Sequence, residues 1–290
     1  MIIWEIVKSI VLGIVQGITE WLPISSTGHM LLINEFMQLT VSADAVRNTE
    51  FFNMFKVVVQ LGSILAVLVL YFHKLNPWSS KKSLSERKST WSLWGKVLVA
   101  SLPAAVVGLL FDDVIEGALS TPVVIAAALI IYGFLFLWLE NRNKQPKIQS
   151  FSELNYKTAL FIGAFQMLAL IPGTSRSGST ILGAVLLGAS RTVAAEFSFF
   201  MAIPVMAGAS GLKLVKFAWE SIQGEGILFT GAEWAVLLVG TVVSFVVSLL
   251  VIKFLMNFIK KHDFKVFGYY RIVFGALVLL YFLGIRNWIG

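Results

Sequence analysis

Long apolar runs alternate with short polar stretches along most of the chain. Six of these runs approach the roughly 20 residues that a helix needs to cross a bilayer. They cover residues 51–72, 93–111, 122–139, 197–217, 234–256 and 269–288. Each run predicts a transmembrane helix, so the pattern indicates an all-α integral membrane protein.

Two further apolar segments, residues 6–36 and 158–190, are each interrupted by a polar stretch near the middle. Each segment is too interrupted for one clean span, yet its halves are too apolar for a loop in water. A helix, a polar turn and a returning helix form a re-entrant hairpin, which is tolerated where protein or water covers the backbone. The predicted fold therefore has six transmembrane helices and two re-entrant helical hairpins.

The polar stretch of the second hairpin reads Pro-Gly-Thr-Ser-Arg-Ser-Gly-Ser-Thr, residues 172–180. An unpaired arginine at membrane depth costs at least ~2.5 kcal/mol, so Arg176 predicts a functional site. Its planar guanidinium suits a phosphate or a carboxylate, and the residues around it can offer more donors to an anion. The candidate substrate-binding residues beside it are Gly173, Thr174, Ser175, Ser177 and Thr180. Two structural roles compete with this one: the stretch only breaks a helix, or Arg176 only pairs with Glu20 to join the hairpins.

The polar stretch of the first hairpin resembles the second. It reads Gln-Gly-Ile-Thr-Glu-Trp-Leu-Pro-Ile-Ser-Ser-Thr-Gly-His, residues 16–29. An offset of 150 residues pairs Gly13 with Gly163, Gln16 with Gln166, Ser25 with Ser175 and Gly28 with Gly178. We therefore expect a single membrane domain, residues 1–290, made of two repeats at about 1–145 and 146–290.

Loop charges orient the predicted spans. Basic residues concentrate in the connections 73–90, 140–157 and 257–268. Such connections face the cytoplasm, whereas the acidic stretches 112–120 and 220–233 are expected to face outward. The two halves then cross the membrane in opposite directions, and inverted repeats place their re-entrant hairpins together near the midplane. Residues 20–29 are thus expected to face residues 173–180.

Composition agrees with this picture. Of the 290 residues, 57% are hydrophobic and 13% are charged, so one soluble core could not bury the apolar surface. The chain has no cysteine, which excludes disulfides and thiolate metal sites. The net charge is +7, and the basic residues cluster in short loops, where they contact anionic lipid headgroups. Membrane lipids are expected partners and nucleic acid is not, while the oligomeric state stays open, a homodimer included.

The first polar stretch adds a carboxylate, a hydroxyl and an imidazole. Ser26 and His29 are three residues apart, so a helix that starts near Ser25 brings them within reach as nucleophile and base. Glu20 can orient His29 or, with Gln16 four residues earlier, ligate a hard divalent cation through oxygen. Both roles stay open. The further candidate substrate-binding hydroxyls are those of Ser25 and Thr27.

Residues 16–29 and 172–180, with Gln-Leu-Gly-Ser at 60–63, resemble the bacterial undecaprenyl-diphosphate phosphatase family, also known as the BacA or bacitracin-resistance family. The resemblance covers essentially the whole chain. It implies hydrolysis of undecaprenyl diphosphate to undecaprenyl phosphate and inorganic phosphate. This reaction recycles the lipid carrier for cell-wall synthesis and confers bacitracin resistance.

The resemblance also implies interlocked inverted repeats, a divalent cation such as Mg or Ca, and a site open to the outer face of the bacterial plasma membrane. The family's first motif has Glu or Gln ahead of the motif glutamate, and this chain has the Gln form, so Gln16 offers only a neutral oxygen. The predicted metal ligands are Glu20 and Gln16. The predicted catalytic residues are Glu20, Ser26, His29 and Arg176.

Inverted repeats with discontinuous helices also occur in transporters. The alternative function is therefore transport or flipping of an anionic prenyl phosphate without bond cleavage. A carrier needs Arg176 for binding but needs no nucleophile and no base. The presence of Ser26 and His29 favours the enzyme.

Overall fold

Helices make up most of the computed structural model, which describes residues 2–142, 144–223 and 229–285. They are α1 (Ile2–Thr19), α2 (Ser26–Phe36), α3 (Ala45–Leu70), α4 (Phe72–Leu75), α5 (Leu84–Leu119), α6 (Pro122–Asn141), α7 (Tyr156–Met167), α8 (Arg176–Leu186), α9 (Arg191–Gln223), α10 (Gly231–Phe258) and α11 (Lys265–Leu279). A 3-10 turn, Leu168–Leu170, follows α7, and a π-helical turn, Leu280–Ile285, extends α11. The all-α prediction is confirmed.

Within the described ranges, seven helices are long and apolar enough to cross a membrane. Six of them, namely α3, α5, α6, α9, α10 and α11, match the six predicted apolar runs. The seventh is α1, which was predicted to be the first arm of a re-entrant hairpin. The helix begins at Ile2 rather than near residue 6 and has 18 residues, which corresponds to about 27 Å. The number of long apolar helices is therefore seven and not six.

The second predicted hairpin has two short arms. Helix α7 has 12 residues and α8 has 11, and the 3-10 turn and residues 171–175 lie between them. Neither arm is long enough to cross a bilayer. Short arms of this kind are what a re-entrant hairpin requires.

One predicted outer loop is helical instead. Helix α5 continues to Leu119, so residues 112–119 form its last turns. The helix ends only where capping signals appear: Thr121 Oγ1 accepts a hydrogen bond from Val124 N at 3.3 Å, and Pro122 occupies the first position of α6. Of the other acidic stretch, residues 224–228 lie outside the described residues.

Helix pairs recur between the two halves of the chain. Helix α1 packs along α10 and α7 packs along α5, while α3 packs on α9 and α6 on α11. Gly13 and Gly163 lie at the first two crossings. An added Cβ would lie 2.6 Å from Gly240 O in one case and 2.0 Å from Ala100 O in the other, so both crossings need glycine.

Aromatic residues pack beside the two polar turns. Trp21 is fully buried, and its ring lies 5.2 Å from that of Phe199. Phe197 and Phe200 are buried as well and lie 6.3 and 5.7 Å from Phe151. Phe151 belongs to the basic connection between α6 and α7. Aromatic rings of α9 therefore contact both the first polar turn, through Trp21, and that connection.

Candidate functional site

The two polar turns meet in the interior of the protein. Arg176, the first residue of α8, donates from Nη2 to Glu20 Oε1 at 3.0 Å, although the two residues are 156 positions apart. The side chain of Arg176 is 12% exposed and that of Glu20 is 4% exposed. Buried charges are tolerated when they are paired and hydrogen-bonded. The structure therefore places the turns side by side, as the sequence predicted.

Glu20 is the centre of the hydrogen bonds in the first turn. Its Oε2 accepts from Gln16 Nε2 at 3.0 Å and from Ser26 Oγ at 3.2 Å. With Arg176 on Oε1, donors from α1, α2 and α8 meet on one carboxylate. Ser26 thus has a base within hydrogen-bond reach, and this base is the carboxylate of Glu20.

His29 is directed away from Ser26. Its Nδ1 lies 2.7 Å from Ser25 O, and its Nε2 lies 2.6 Å from the hydroxyl of Tyr270. A carbonyl oxygen only accepts, so Nδ1 carries the proton and Nε2 accepts from Tyr270. The imidazole also stacks on Phe274, with 4.0 Å between ring centroids. The expected hydrogen bond between Ser26 and His29 is not formed. The two ring nitrogens instead contact Ser25 O and the hydroxyl of Tyr270 in α11, and the Ser26 hydroxyl donates to Glu20.

Each turn ends in a serine with a left-handed backbone. Ser25 has φ 73° and Ser175 has φ 71°, and no other non-glycine residue in the described ranges has a positive φ. Ser25 Oγ accepts from Gly28 N at 3.4 Å and Ser175 Oγ accepts from Gly178 N at 3.2 Å. Both hydroxyls, which were predicted to bind substrate, are therefore engaged as helix caps. Such backbone costs ~1–3 kcal/mol and persists only where its surroundings enforce it.

Helix α9 holds Arg176 from a second side. Arg176 Nη1 donates to Ser198 O at 2.8 Å, and Thr180 Oγ1 lies 2.6 Å from Ser198 Oγ. The ring of Trp21 lies 5.6 Å from the guanidinium carbon. In the part of the chain that the structure describes, Arg176 Nε and Trp21 Nε1 are buried and have no hydrogen-bond partner. Buried polar groups are nearly always satisfied, so these two N–H groups are unpaired donors inside the site.

Other predicted site residues build the turns. Ser177 Oγ donates to Glu20 O at 3.2 Å and ties the second turn to the first. Thr174 Oγ1 donates to Leu168 O at 2.8 Å and closes its own turn. Gly173 has φ 96°, a conformation that glycine adopts without a steric cost.

Thr27 is the one predicted binding residue that the structure leaves exposed at the start of α2. None of the described hydrogen bonds joins it to the pair of Glu20 and Arg176. We therefore assign it no contact in the site.

A second buried arginine joins the two turns. Arg271 of α11 is 0% exposed and donates from Nη1 to Pro23 O at 3.0 Å. Its Nη2 donates to Gly173 O at 2.9 Å and to Thr174 O at 3.0 Å, and its Nε to Leu129 O at 3.4 Å. One side chain thus binds backbone carbonyls of both turns and fixes the distance between them.

Three residues of this site were not identified from the sequence: Ser198, Tyr270 and Arg271. Arg271 carries the same signal as Arg176, a charge inside an apolar run. That signal could have found it. Ser198 and Tyr270 carry no comparable signal, because hydroxyl-bearing residues are compatible with apolar helices.

Glu20 and Gln16 are the side chains that could hold a divalent cation here. Glu20 offers one carboxylate, whereas the Gln16 amide directs its nitrogen to Glu20 and would have to turn its oxygen to a cation. Among the described residues, no group of three or more His, Cys, Asp or Glu could hold a metal. Mg²⁺ is usually bound by one or two carboxylates together with substrate phosphates. The pair therefore fits a cation whose coordination a phosphate ligand completes.

Comparison with known proteins identifies close relatives over nearly the full length. A family model described as bacitracin resistance protein BacA matches residues 9–277. Undecaprenyl-diphosphatase 1 of Clostridioides difficile is 60% identical over 278 residues, which are 96% of each chain. The undecaprenyl-diphosphatase of Acetivibrio thermocellus is 56% identical over 97% of this chain and 99% of the relative. That of Enterococcus faecalis is 55% identical over 95% and 97%.

Proposed function

The chain belongs to the family of the bacitracin resistance protein BacA and dephosphorylates undecaprenyl diphosphate, and we propose that the reaction takes place at Glu20, Ser26 and Arg176. The products are undecaprenyl phosphate and inorganic phosphate. The observation that carries this assignment is the contact between Arg176 and Glu20, which places a cation for the diphosphate beside a base and a hydroxyl. The transport alternative is not favoured, since the relatives are named for the phosphatase activity.

Arg176 binds the terminal phosphate. The planar guanidinium can donate two parallel hydrogen bonds to phosphate oxygens. Its Nε is buried without a partner in the described residues, and Nη2 is held only by Glu20. The incoming phosphate therefore takes over the Nη2 bond and gains the Nε bond, while the bond from Nη1 to Ser198 O keeps the side chain in place.

Ser26 is the nucleophile and Glu20 is its base. As Ser26 Oγ forms a bond to the terminal phosphorus, its proton passes to Glu20 Oε2, which lies 3.2 Å away. The bond between this phosphorus and the bridging oxygen breaks, and undecaprenyl phosphate leaves with the electron pair. Arg176 stabilises the equatorial oxygens during the transfer.

A water molecule then completes the reaction. It attacks the phosphoserine, the bond between phosphorus and Ser26 Oγ breaks, and Glu20 returns the proton to Oγ. One proton of the water stays on the released phosphate and the other goes to solvent. Glu20 is again an anion and pairs with Arg176, as in the structure.

His29 acts through Ser25 and not through Ser26. Its Nδ1–H holds the carbonyl of Ser25, and this residue has the left-handed backbone that starts α2 and directs Ser26 toward Glu20. We therefore assign His29 as a positioning residue rather than as the base that the sequence predicted. Arg271 has the same kind of role, since it binds carbonyls of both turns.

A divalent cation, Mg or Ca, is a further part of the proposal. Glu20 and Gln16 would hold it together with oxygens of the diphosphate, and when bound it would neutralise part of the substrate's negative charge.

The proposed architecture is a pair of inverted repeats, about 1–145 and 146–290, in which six spans surround two re-entrant hairpins. In this arrangement α1, the seventh long apolar helix, is the first arm of the first hairpin. The recurring helix pairs support it, and so do the matching caps at Ser25 and Ser175. We also propose that the site lies near the midplane and opens to the outer face of the bacterial plasma membrane. The rings of Phe151, Phe197 and Phe200 support this orientation, because they lie toward the basic connection expected in the cytoplasm.

Phosphate release tests the proposed function. Purified protein supplied with a prenyl diphosphate should release inorganic phosphate, and Glu20→Gln should reduce the rate by ~100-fold or more. A chelator should slow the wild-type protein, and added Mg²⁺ should restore it. Movement of a labelled prenyl phosphate between leaflets without any phosphate release would instead identify a carrier.

A further inference from the structure

A cavity lies away from the Glu20–Arg176 site, at the other end of the helix α8 that begins with Arg176. It has a volume of about 770 Å³. Its walls come from the end of α6 with the connection that follows, from the turn between α8 and α9, and from the end of α10. The basic connections place these helix ends at the cytoplasmic side.

Positive charge dominates the lining of this cavity. Its cationic residues are Arg142, Lys144, Lys147, Arg191 and Lys260, and its one acidic residue is Glu140. Glu140 Oε1 already accepts from Arg191 Nε at 2.9 Å and from Phe264 N at 3.0 Å. None of the salt bridges between described residues involves the other four cations. The cavity thus has four positive charges without a carboxylate partner.

Backbone hydrogen bonds hold the part of the basic connection that contains Lys147 in place. Lys147 N and Ile148 N donate to Gly188 O at 2.8 and 2.9 Å, and Ser190 N donates to Ile148 O at 2.8 Å. The basic connection is therefore fastened to the turn before α9. Helix α9 has 33 residues and begins in the cavity wall, so its dipole adds to the positive potential.

Residues in and beside the lining also indicate the depth of the cavity in the membrane. Trp138 is exposed, and the guanidinium of Arg142 lies 4.9 Å from its ring. Tryptophan beside basic residues is typical of the level of the lipid headgroups. The apolar side chains Leu139, Leu186 and Ile259 line the same cavity as the cations. A ligand for this lining has a phosphate next to an apolar part.

We propose that this cavity binds the phosphate headgroup of an anionic membrane lipid from the cytoplasmic leaflet. The unpaired cations bind the phosphate, and the apolar side chains contact the carbon atoms next to it. The proposal does not depend on the mechanism at Glu20 and Arg176.

Lipid binding to purified protein tests the proposal. Native mass spectrometry would follow titration with phosphatidylglycerol, with phosphatidylcholine as the neutral lipid. The test variant is Lys144→Gln/Lys147→Gln/Lys260→Gln. The control variant removes three lysines that are exposed in basic connections but do not line the cavity, Lys81→Gln/Lys88→Gln/Lys157→Gln. Both variants should retain phosphate release, which shows that they are folded.

The cavity variant should bind phosphatidylglycerol at least ~10-fold more weakly than wild type, and the control variant less than ~2-fold more weakly. Equal losses in the two variants would show a diffuse basic surface and overturn the proposal. A third arm uses inorganic phosphate as the probe. If it binds as tightly as phosphatidylglycerol and depends on the same lysines, the cavity is a site for a soluble anion and the lipid assignment is wrong.

Discussion

The first polar turn and the second end in the same kind of serine cap and have different chemistry. Their serine caps have φ values of 73° and 71°, and each accepts a hydrogen bond from the glycine three residues later. At the offset of 150, Glu20 corresponds to Leu170 and Ser26 corresponds to Arg176. The first turn thus provides the base and the hydroxyl, and the second provides the cation. Two turns with the same kind of cap therefore form one asymmetric site, because the residues beside the caps differ.

The division of roles predicts its largest effect at Ser26. Ser26→Ala removes the hydroxyl that Glu20 accepts from, so kcat should fall ~1000-fold or more while KM changes little. Thr27→Ala is the matched control, since Thr27 is the next residue and is exposed; its kcat should stay within ~3-fold of wild type. If Ser26→Ala keeps a large part of the turnover, water attacks directly and the first turn holds no nucleophile.

Arg176 should show the next largest effect and should differ from Arg271. Arg176→Lys keeps the charge but loses the planar fork, so kcat/KM should fall by ~10- to 1000-fold, or ~1.4 to 4 kcal/mol. Its Tm should change little. Arg271→Lys should lower Tm as well, because a buried ammonium cannot reach all the carbonyls that the guanidinium binds. Near-normal turnover in Arg176→Lys would refute its role in binding phosphate.

The role of His29 can be separated from that of a base. His29→Asn keeps an N–H donor near the position of Nδ1 but offers no base, so it should retain ~10-fold more kcat than His29→Ala. The two variants would be compared by their steady-state rates between pH 6 and 9. Equal losses in the two variants, together with a lost pH dependence, would show that His29 transfers a proton.

The smallest effects concern the shared backbone. Ser25→Ala and Ser175→Ala each remove the cap hydrogen bond and keep the Cβ that serine already has, so the loss of the cap should destabilise the protein by ~1 kcal/mol. Glycine at either position accepts this backbone and should cost only a few tenths of a kcal/mol. Thermal unfolding of the four variants, alanine and glycine at each of the two positions, measures these differences in stability. A preference for alanine over glycine at either position would contradict the matching caps.

The sequence predicted the fold class and the meeting of the two turns, because both follow from hydrophobic pattern and internal similarity. The interrupted segment 158–190 has the two short arms that were expected. The seventh long apolar helix was missed because the predicted segment began at residue 6, whereas α1 begins at Ile2. The boundaries of a helix depend on packing as well as on the apolar pattern. Gly13, for example, allows α1 to contact α10 along its length.

The contacts inside the site were less predictable than its location. Spacing alone placed Ser26 and His29 on one side of a helix, but it did not show which neighbour each side chain meets. The imidazole of His29 contacts Tyr270, which is 241 positions away. The hydroxyl of Ser26 donates to Glu20, on the other side of the first polar turn. Local periodicity contains no information on such partners.

A double-mutant cycle tests most directly whether the two turns act as one site. Glu20 and Arg176 contact each other at 3.0 Å across the turns, and kcat/KM would be measured for Glu20→Gln, Arg176→Lys and the double variant. If the pair acts as a unit, the double variant should lie within ~10-fold of the worse single variant. Losses that multiply would show that the two turns contribute independently, and would contradict the single composite site.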